Sequence, residues 1–249
     1  MIRKMILPAL LALAALVAAP ALADKVIVQL QHTDAMTIMG QTTPAEDTTQ
    51  EFWFGDSAMR FDDDDITIIN RLDKKKLYFV NNAEKTYSAI DLPIDFNKLV
   101  GPEMAPMMEQ MAAMMGGSAK VTPTDKAGSF AGFDCKFSRA DVDMSMMKMT
   151  MDMCLSEKLP VDYRRYQSMV ESRAELLPST KWMKELAKLQ GFPVRSDSTT
   201  TVMGKSFKSY QELVSSEEKA APAGTYEPPA GYTEKAFDPM GQGAAKRRK

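Results

Sequence analysis

Cys135 and Cys154 flank a segment in which Met147, Met149, Met151 and Met153 alternate with Lys148, Thr150, Asp152 and Cys154. Thiols and thioethers at this spacing allow three kinds of chemistry. The chain has 2 cysteines, so in an oxidising compartment each has only the other as an intramolecular partner. Thioether sulfur is a soft ligand for Cu(I), and Met144, Met146 and Met147 at the tip of the segment would be its natural site. Methionine is also a flexible, polarisable surface that accepts varied apolar partners. Period-2 alternation sets Met149 and Met151 in one row on a strand face, which favours the apolar role for them.

Catalytic chemistry has little to work with. His32 is the single histidine, with no nucleophile motif beside it. Zinc-ligand spacing, a glycine-rich phosphate loop and a Gly-x-Ser-x-Gly elbow are all missing from the sequence. Residues 62–65 (DDDD) place four carboxylates in a turn but lack the spacing and glycine of a calcium loop, so they read as a solvated acidic turn. The expectation is a protein that is not an enzyme and needs no cofactor or metal.

A second set of methionines, Met104, Met107, Met108, Met111, Met114 and Met115, recurs at three- and four-residue steps. That spacing predicts one stripe of an amphipathic helix, opened by Pro102 and Pro106 and closed by Gly116 and Gly117. If this helix faces the methionine strand, Met107, Met111, Met149 and Met151 line a common apolar space. An ordinary methionine-rich core, that of an envelope interaction module with a filled interior, is the competing reading, beside a methionine-rich periplasmic copper-binding protein.

The elements that must position these residues are mostly strands. Residues 25–31 (KVIVQLQ), 51–54, 58–61, 66–72, 76–81 and 85–90 are short alternating runs separated by polar breaks, the pattern of an antiparallel meander. In the first run Val26, Val28 and Leu30 mark the apolar side, and residues 40–48 read as a turn. Beyond the methionine helix come a strand near 120–124, the cysteine hairpin, and a helix from Tyr163 capped by Asp162. Pro178 interrupts that helix. Ser179 caps its continuation through Trp182, Leu186 and Leu189 to Gly191. Residues 192–203 and 205–215 form two more strands joined at Gly204. The tail from 220 crosses the surface, docked by Tyr226 and Tyr232, and 236–249 are expected to be disordered.

The hairpin carries a conflict of parity. Setting Cys135 opposite Cys154 centres it between Met144 and Ser145, and then Phe133 and Phe137 share a side with Lys148, Thr150 and Asp152. Either a β-bulge flips the parity of one strand or the disulfide is absent; bulge plus disulfide is the expectation.

Residues 1–23 have the pattern of an export leader: Arg3 and Lys4, an apolar run, and Ala21-Leu22-Ala23 before Asp24. Loss of Arg3 and Lys4 takes the 31 basic side chains to 29 against 33 acidic ones, a net charge of −4 that argues against a nucleic-acid partner. No cysteine follows the apolar run for lipid attachment. The expectation is a periplasmic or secreted monomer, with domains at 1–23 (leader), 24–235 (β domain) and 236–249 (basic tail). Lys246, Arg247, Arg248 and Lys249 would allow transient contact with an anionic envelope surface.

Met59-Arg60-Phe61, residues 66–70, Leu77-Tyr78-Phe79-Val80-Asn81 and Lys85-Thr86-Tyr87 are similar to the strand series of exported domains with the outer-membrane lipoprotein carrier (LolA-like) fold. Gly132-Phe133-Asp134-Cys135, Gly191-Phe192-Pro193-Val194 and Pro229-Ala230-Gly231-Tyr232 resemble landmarks of an uncharacterised exported family placed in that group. The likeness spans most of 25–235. It implies an α+β fold: a single strongly curved antiparallel β-sheet, an incomplete barrel, with helices packed on the concave face over an apolar cavity. It implies binding or shuttling of a lipid or lipoprotein acyl chain, and it transfers no functional residue.

Overall fold

The computed structural model describes residues 23–38, 40–145, 147–176 and 182–238, without the side chains of 111–115 and 173. Residues 1–22, Met39, Met146, residues 177–181 with the expected helix break at Pro178 and cap at Ser179, and residues 239–249 lie outside the described residues, as do the side chains of Met111, Met114 and Met115.

In chain order the strands are β1 (Asp24–Thr33), β2 (Met36–Ile38), β3 (Gln41–Thr43), β4 (Glu46–Phe54), β5 (Ala58–Asp62), β6 (Ile66–Arg71), β7 (Lys76–Asn81) and β8 (Thr86–Asp91). Helices α1 (Phe96–Val100) and α2 (Ala105–Met115) follow, then β9 (Gly117–Phe130), β10 (Phe133–Met144) and β11 (Met147–Ser156). Helices α3 (Tyr163–Leu176) and α4 (Met183–Leu186) precede β12 (Phe192–Val202), β13 (Lys205–Lys219) and β14 (Thr233–Glu234). Twelve strands form one sheet in the order β14-β8-β7-β6-β5-β4-β1-β13-β12-β11-β10-β9, and β2 pairs with β3 separately. Every ladder is antiparallel except β14 on β8. The two edges, β14 and β9, are not paired with each other, so the sheet is open and not a closed barrel.

Local chemistry explains the tight connections. Ala131-Gly132 joins β9 to β10 and Met203-Gly204 joins β12 to β13, all four residues at positive φ. Two such residues make the mirror-image turn whose twist matches that of paired strands, and glycine adopts it without strain. β4 starts at Glu46, inside the segment expected to turn, because it pairs with β1 along its whole length, from Thr33↔Glu46 to Lys25↔Phe54. β9 is far longer than the strand expected near 120–124: tertiary pairing with β10 overrides the poor strand propensity of its Pro, Gly, Asp and Lys residues.

Cys135 and Cys154 are bridged, with Cα atoms 5.3 Å apart. The expected bulge in their hairpin is corrected: the β10–β11 register runs unbroken from Lys136↔Leu155 to Met144↔Met147, so Cys154 faces Phe137 and not Cys135. The register shifts lie on the outer ladders, at Lys136/Ser138 against β9 and at Cys154/Leu155 against β12. No parity flip is needed, because Phe137 and Cys154 point one way while Ala140, Val142, Met151 and Met153 point the other. The disulfide belongs to the main core, with Phe130, Phe133 and Phe137 packed against that core.

Both faces of the sheet are covered over much of their area. Ile27 and Phe52 on one side, and Val26 and Ile69 on the other, are all buried. The chain after β13 crosses the second side: Arg60 Nη1 donates to the Thr225 carbonyl at 2.9 Å and Tyr226 Oη donates to Asp24 Oδ2 at 2.7 Å. Burial, followed by that carboxylate, pushes the Tyr226 phenol up from its ordinary pKa. β14 then extends the sheet edge, and Phe237 is 8% exposed with its ring 5.7 Å from that of Phe79. The packed chain therefore runs past residue 235, where the domain was expected to end.

Phe237→Ala is expected to lower stability by about 3 kcal/mol, the cost of emptying a buried aromatic site. Urea denaturation of the two proteins measures it; an unchanged midpoint would show that the 236–238 segment adds nothing to the fold.

Candidate functional site

The sheet side that carries Ile68, Phe61, Phe52, Gln50, Gln31, Gln211, Met153 and Met151, linked strand to strand by the ladders, supports the helices. α3 starts where Asp162 Oδ1 accepts the backbone N–H of Arg164 at 3.1 Å, as a capping residue does. Its Tyr166 ring lies 4.9 Å from Phe192 and 6.0 Å from Phe52. Such ring pairs add about 0.5–1.5 kcal/mol each beyond area burial. α4 covers the methionine strand: Trp182, Leu186 and Leu189 pack on Ala140, Val142, Met151 and Met153. Two polar contacts tie the helical segments together. The Gln167 side chain donates to the Leu189 carbonyl, and Lys184 Nζ pairs with Glu175 at 3.1 Å.

Between these contacts lies a cavity of about 380 Å³, within the span of roughly 300–1,000 Å³ usual for small-molecule sites. Phe52, Phe61, Met153, Leu155, Met169 and Leu189 supply most of its apolar wall. Gly191, also in the wall, has φ +96°, and a Cβ there would stand 2.9 Å from the Ser156 carbonyl oxygen, so glycine alone suits that corner. The floor is polar. Gln50 Nε2 donates to Gln31 Oε1 at 2.7 Å, and Gln211 Nε2 donates to Gln50 Oε1.

Of the expected ligand-binding methionines, Met149 and Met151 belong to the core packed under α4, and neither is in the cavity wall. Met107 is 50% exposed, and the side chain of Met111 lies outside the described residues. The buried line of α2 passes through Ala105 and Met108, one position away from Met104 and Met107, which face outward. Among the described side chains, those of Trp182, Leu186 and Leu189 cover the methionine strand, and none from α2 is with them. Met153 is the member of the β11 row that reaches the cavity. Of the candidate copper ligands, Met144 packs against the core under α4 and Met147 is half-buried. Among the described residues no group of three or more His, Cys, Asp or Glu is placed to hold a metal. In the acidic turn Asp62 is engaged by Arg60 Nε at 2.6 Å and by Thr67 Oγ1 at 2.6 Å.

The glutamines were not legible as functional. Val26, Val28 and Leu30 had marked the inner side of β1, yet Gln29 is 1% exposed and Gln31 lines the cavity. The signal that could have found them is β1's position in mid-sheet, where both sides of a strand are buried and alternation no longer tells inside from outside.

The opposite side of the same strands carries a charged row, one residue per strand: Arg139↔Asp152↔Asp197↔Tyr210↔His32↔Asp47. Asp152 and Asp197 face each other, and each is drawn to its own arginine. Arg139 grips Asp152 through two bonds of 2.8 Å, and Arg195 Nε donates to Asp197 at 3.0 Å. The Arg139 guanidinium holds the Asp152 carboxyl below the usual carboxylate range. A carboxyl so held cannot supply the raised pKa that a general acid needs. His32 stacks on Tyr210 at 5.2 Å, with Nδ1 2.6 Å from Asp47 and Nε2 3.2 Å from Asp34.

Residues 35–232 match the model of the family described as Domain of unknown function (DUF4412). The chain belongs to that family. No curated protein matches it. Among solved structures, one titled "Structure of PNGF-II in C2 space group" aligns at 10% identity and a TM-score of 0.42. The alignment covers 90% of this chain and 32% of that one, so this chain spans about a third of that protein's length.

The hydrogen bond to Asp47, first among the causes, raises the His32 pKa above 6.5. A raised pKa means that this contact stabilises the fold below pH 6.5 and that its contribution fades as pH climbs through the folded midpoint. Because His32 is the single histidine, its ring gives one imidazole signal to follow by NMR. The midpoint is expected above 6.5 and is expected to move back toward 6.5 in Asp47→Asn; a wild-type midpoint at or below 6.5 would refute the contact.

Proposed function

We propose that this domain is a non-enzymatic binding or shuttling protein of the cell envelope, and that it holds an apolar ligand such as an acyl chain between α3, α4 and the sheet. The observation that carries the reading is the cavity of about 380 Å³, walled by aromatic, leucine and methionine side chains. Burying apolar ligand surface there gains roughly 25 cal/mol per Å². Met153, Met169 and Met183 are adaptable walls for a flexible chain. The reading places α3 and α4 on the concave side of a curved sheet, the arrangement implied by the likeness to the lipoprotein-carrier fold. The leader-like residues 1–23 and the Cys135–Cys154 bridge suit an oxidising envelope compartment. The ligand contacts move from Met107, Met111, Met149 and Met151 to Phe52, Phe61, Met153, Leu155, Met169 and Leu189.

Ala187 is 5% exposed and lines the cavity, so Ala187→Phe fills it from the helix side. Overpacking of this kind costs about 1–3 kcal/mol, which leaves a folded protein to assay. A fluorescent alkyl probe is expected to bind the wild type and to bind this variant at least about tenfold more weakly, as loss of about 1.4 kcal/mol would require. Equal binding by the two proteins, or no binding by the wild type, would overturn the reading.

A further inference from the structure

Three glutamines from three neighbouring strands, Gln50 of β4, Gln31 of β1 and Gln211 of β13, form the floor of a cavity whose other walls are mostly apolar. Nothing in the strand pattern asks for them. Ile27, Phe52, Phe61 and Leu213 on the same side are buried and apolar, and leucine or methionine at positions 31, 50 and 211 would close the space. Burying amides costs free energy unless each finds a partner.

Counting partners shows what remains unused. The row makes two bonds, Gln50 to Gln31 and Gln211 to Gln50. A linear chain of three amides joined by two bonds ends on one free amide N–H₂ and one free carbonyl oxygen. Reversing all three amides exchanges the ends without removing either. Here the free donor is Gln31 Nε2 and the free acceptor is Gln211 Oε1. Among the described residues the one sealed side-chain polar atom without a partner is Asn70 Oδ1, so both ends of the glutamine row remain reachable from the cavity or from water.

Charge narrows the head group. Among the described residues the cavity wall contains no lysine, arginine or histidine, and its one charged side chain is Asp63. Among those residues a carboxylate head meets an existing negative charge and no counter-ion, which is the costly case. An amide, ester or alcohol offers the complementary acceptor, donor or both.

We infer that the ligand is an acyl or alkyl chain ending in an uncharged hydrogen-bonding head, and that Gln31, Gln50 and Gln211 receive that head. The inference rests on the apolar-ligand reading and adds the chemistry of the polar end. A free amphiphile and a chain tethered through an amide to a protein both offer such a head; the hydrogen-bonding chemistry is the same.

The test is calorimetric titration of the full chain at pH 8 with dodecanamide, dodecanoate, dodecylamine and an N-dodecanoyl peptide. Dodecanamide is expected to bind about tenfold or more tightly than dodecanoate, the discrimination expected when a buried site pairs one head and leaves the other unpaired. The preference is expected to fall below about threefold in Gln50→Met, which breaks the row at its centre, and to weaken in Gln31→Met, which removes its free donor. The wild-type comparison stands alone should Gln50→Met fail to fold. Dodecanoate binding as tightly as dodecanamide overturns this inference and leaves the apolar-ligand reading intact, as does tightest binding by dodecylamine, which would assign the head to Asp63. Silence from all four ligands overturns both. Binding of the N-dodecanoyl peptide at the strength of dodecanamide supports the inference with a tethered chain as the source, and its failure beside a binding dodecanamide supports it with a free amphiphile.

Discussion

The packing of Trp182, Leu186 and Leu189 onto Met151, Met153, Ala140 and Val142 is the contact that creates the site. At the other end of the helical segment, Tyr166 is held among Phe52 and Phe192. These two dry contacts fix α3 and α4 over the sheet at separate places, and between them the sheet presents glutamines instead of large apolar side chains. Protein interiors close-pack wherever complementary side chains meet. Here the floor is amide and the walls are already committed to other partners, so space remains. The bond from Gln167 to the Leu189 carbonyl adds a polar tie at the rim of that space.

The second side of the sheet solves a different problem. Its row from Arg139 to Asp47 sets ionisable groups side by side across adjacent strands, where unlike neighbours attract and like neighbours repel. Asp152 and Asp197 would repel, but Arg139 and Arg195 neutralise them. Exposed pairs of this kind contribute little, so the row matters more for keeping that side wet and in register than for stability. Nearer the start of β1 the same side is dry, because the chain after β13 lies across it through Arg60, Arg71 and Tyr226. One sheet thus carries a ligand-sized space on one side and a strapped, ion-paired surface on the other.

The strands from β5 to β8 could be read from sequence because each is a short alternating run between polar breaks, and local chemistry decides such segments. The start of helix α3 could be read for the same reason, from the capping residue Asp162. What could not be read depends on which element lands where. The described methionine side chains of α2 do not join the core of β11: Met104 and Met107 are exposed, the buried line of α2 passes through Met108, and Met151 packs in one cluster with Trp182, distant in sequence. The observed hairpin register differs by two residues from the one that sets the cysteines directly opposite each other. The actual turn joins Met144 to Met147, and the bridge spans offset positions. The glutamine floor is not legible in the sequence because glutamine in a strand ordinarily marks the wet side, a rule that fails for a mid-sheet strand covered on both sides.

The central claim is that the space bounded by Phe61, Met153, Tyr166 and the glutamine row receives an alkyl chain. The most direct measurement is a crystal structure of the protein grown with a bromine-tagged alkyl amide, phased on the bromine. The account predicts an anomalous peak inside that space, with the amide head at Gln31 or Gln211. Bromine located elsewhere, or ordered water alone between the helices and the sheet, would contradict it.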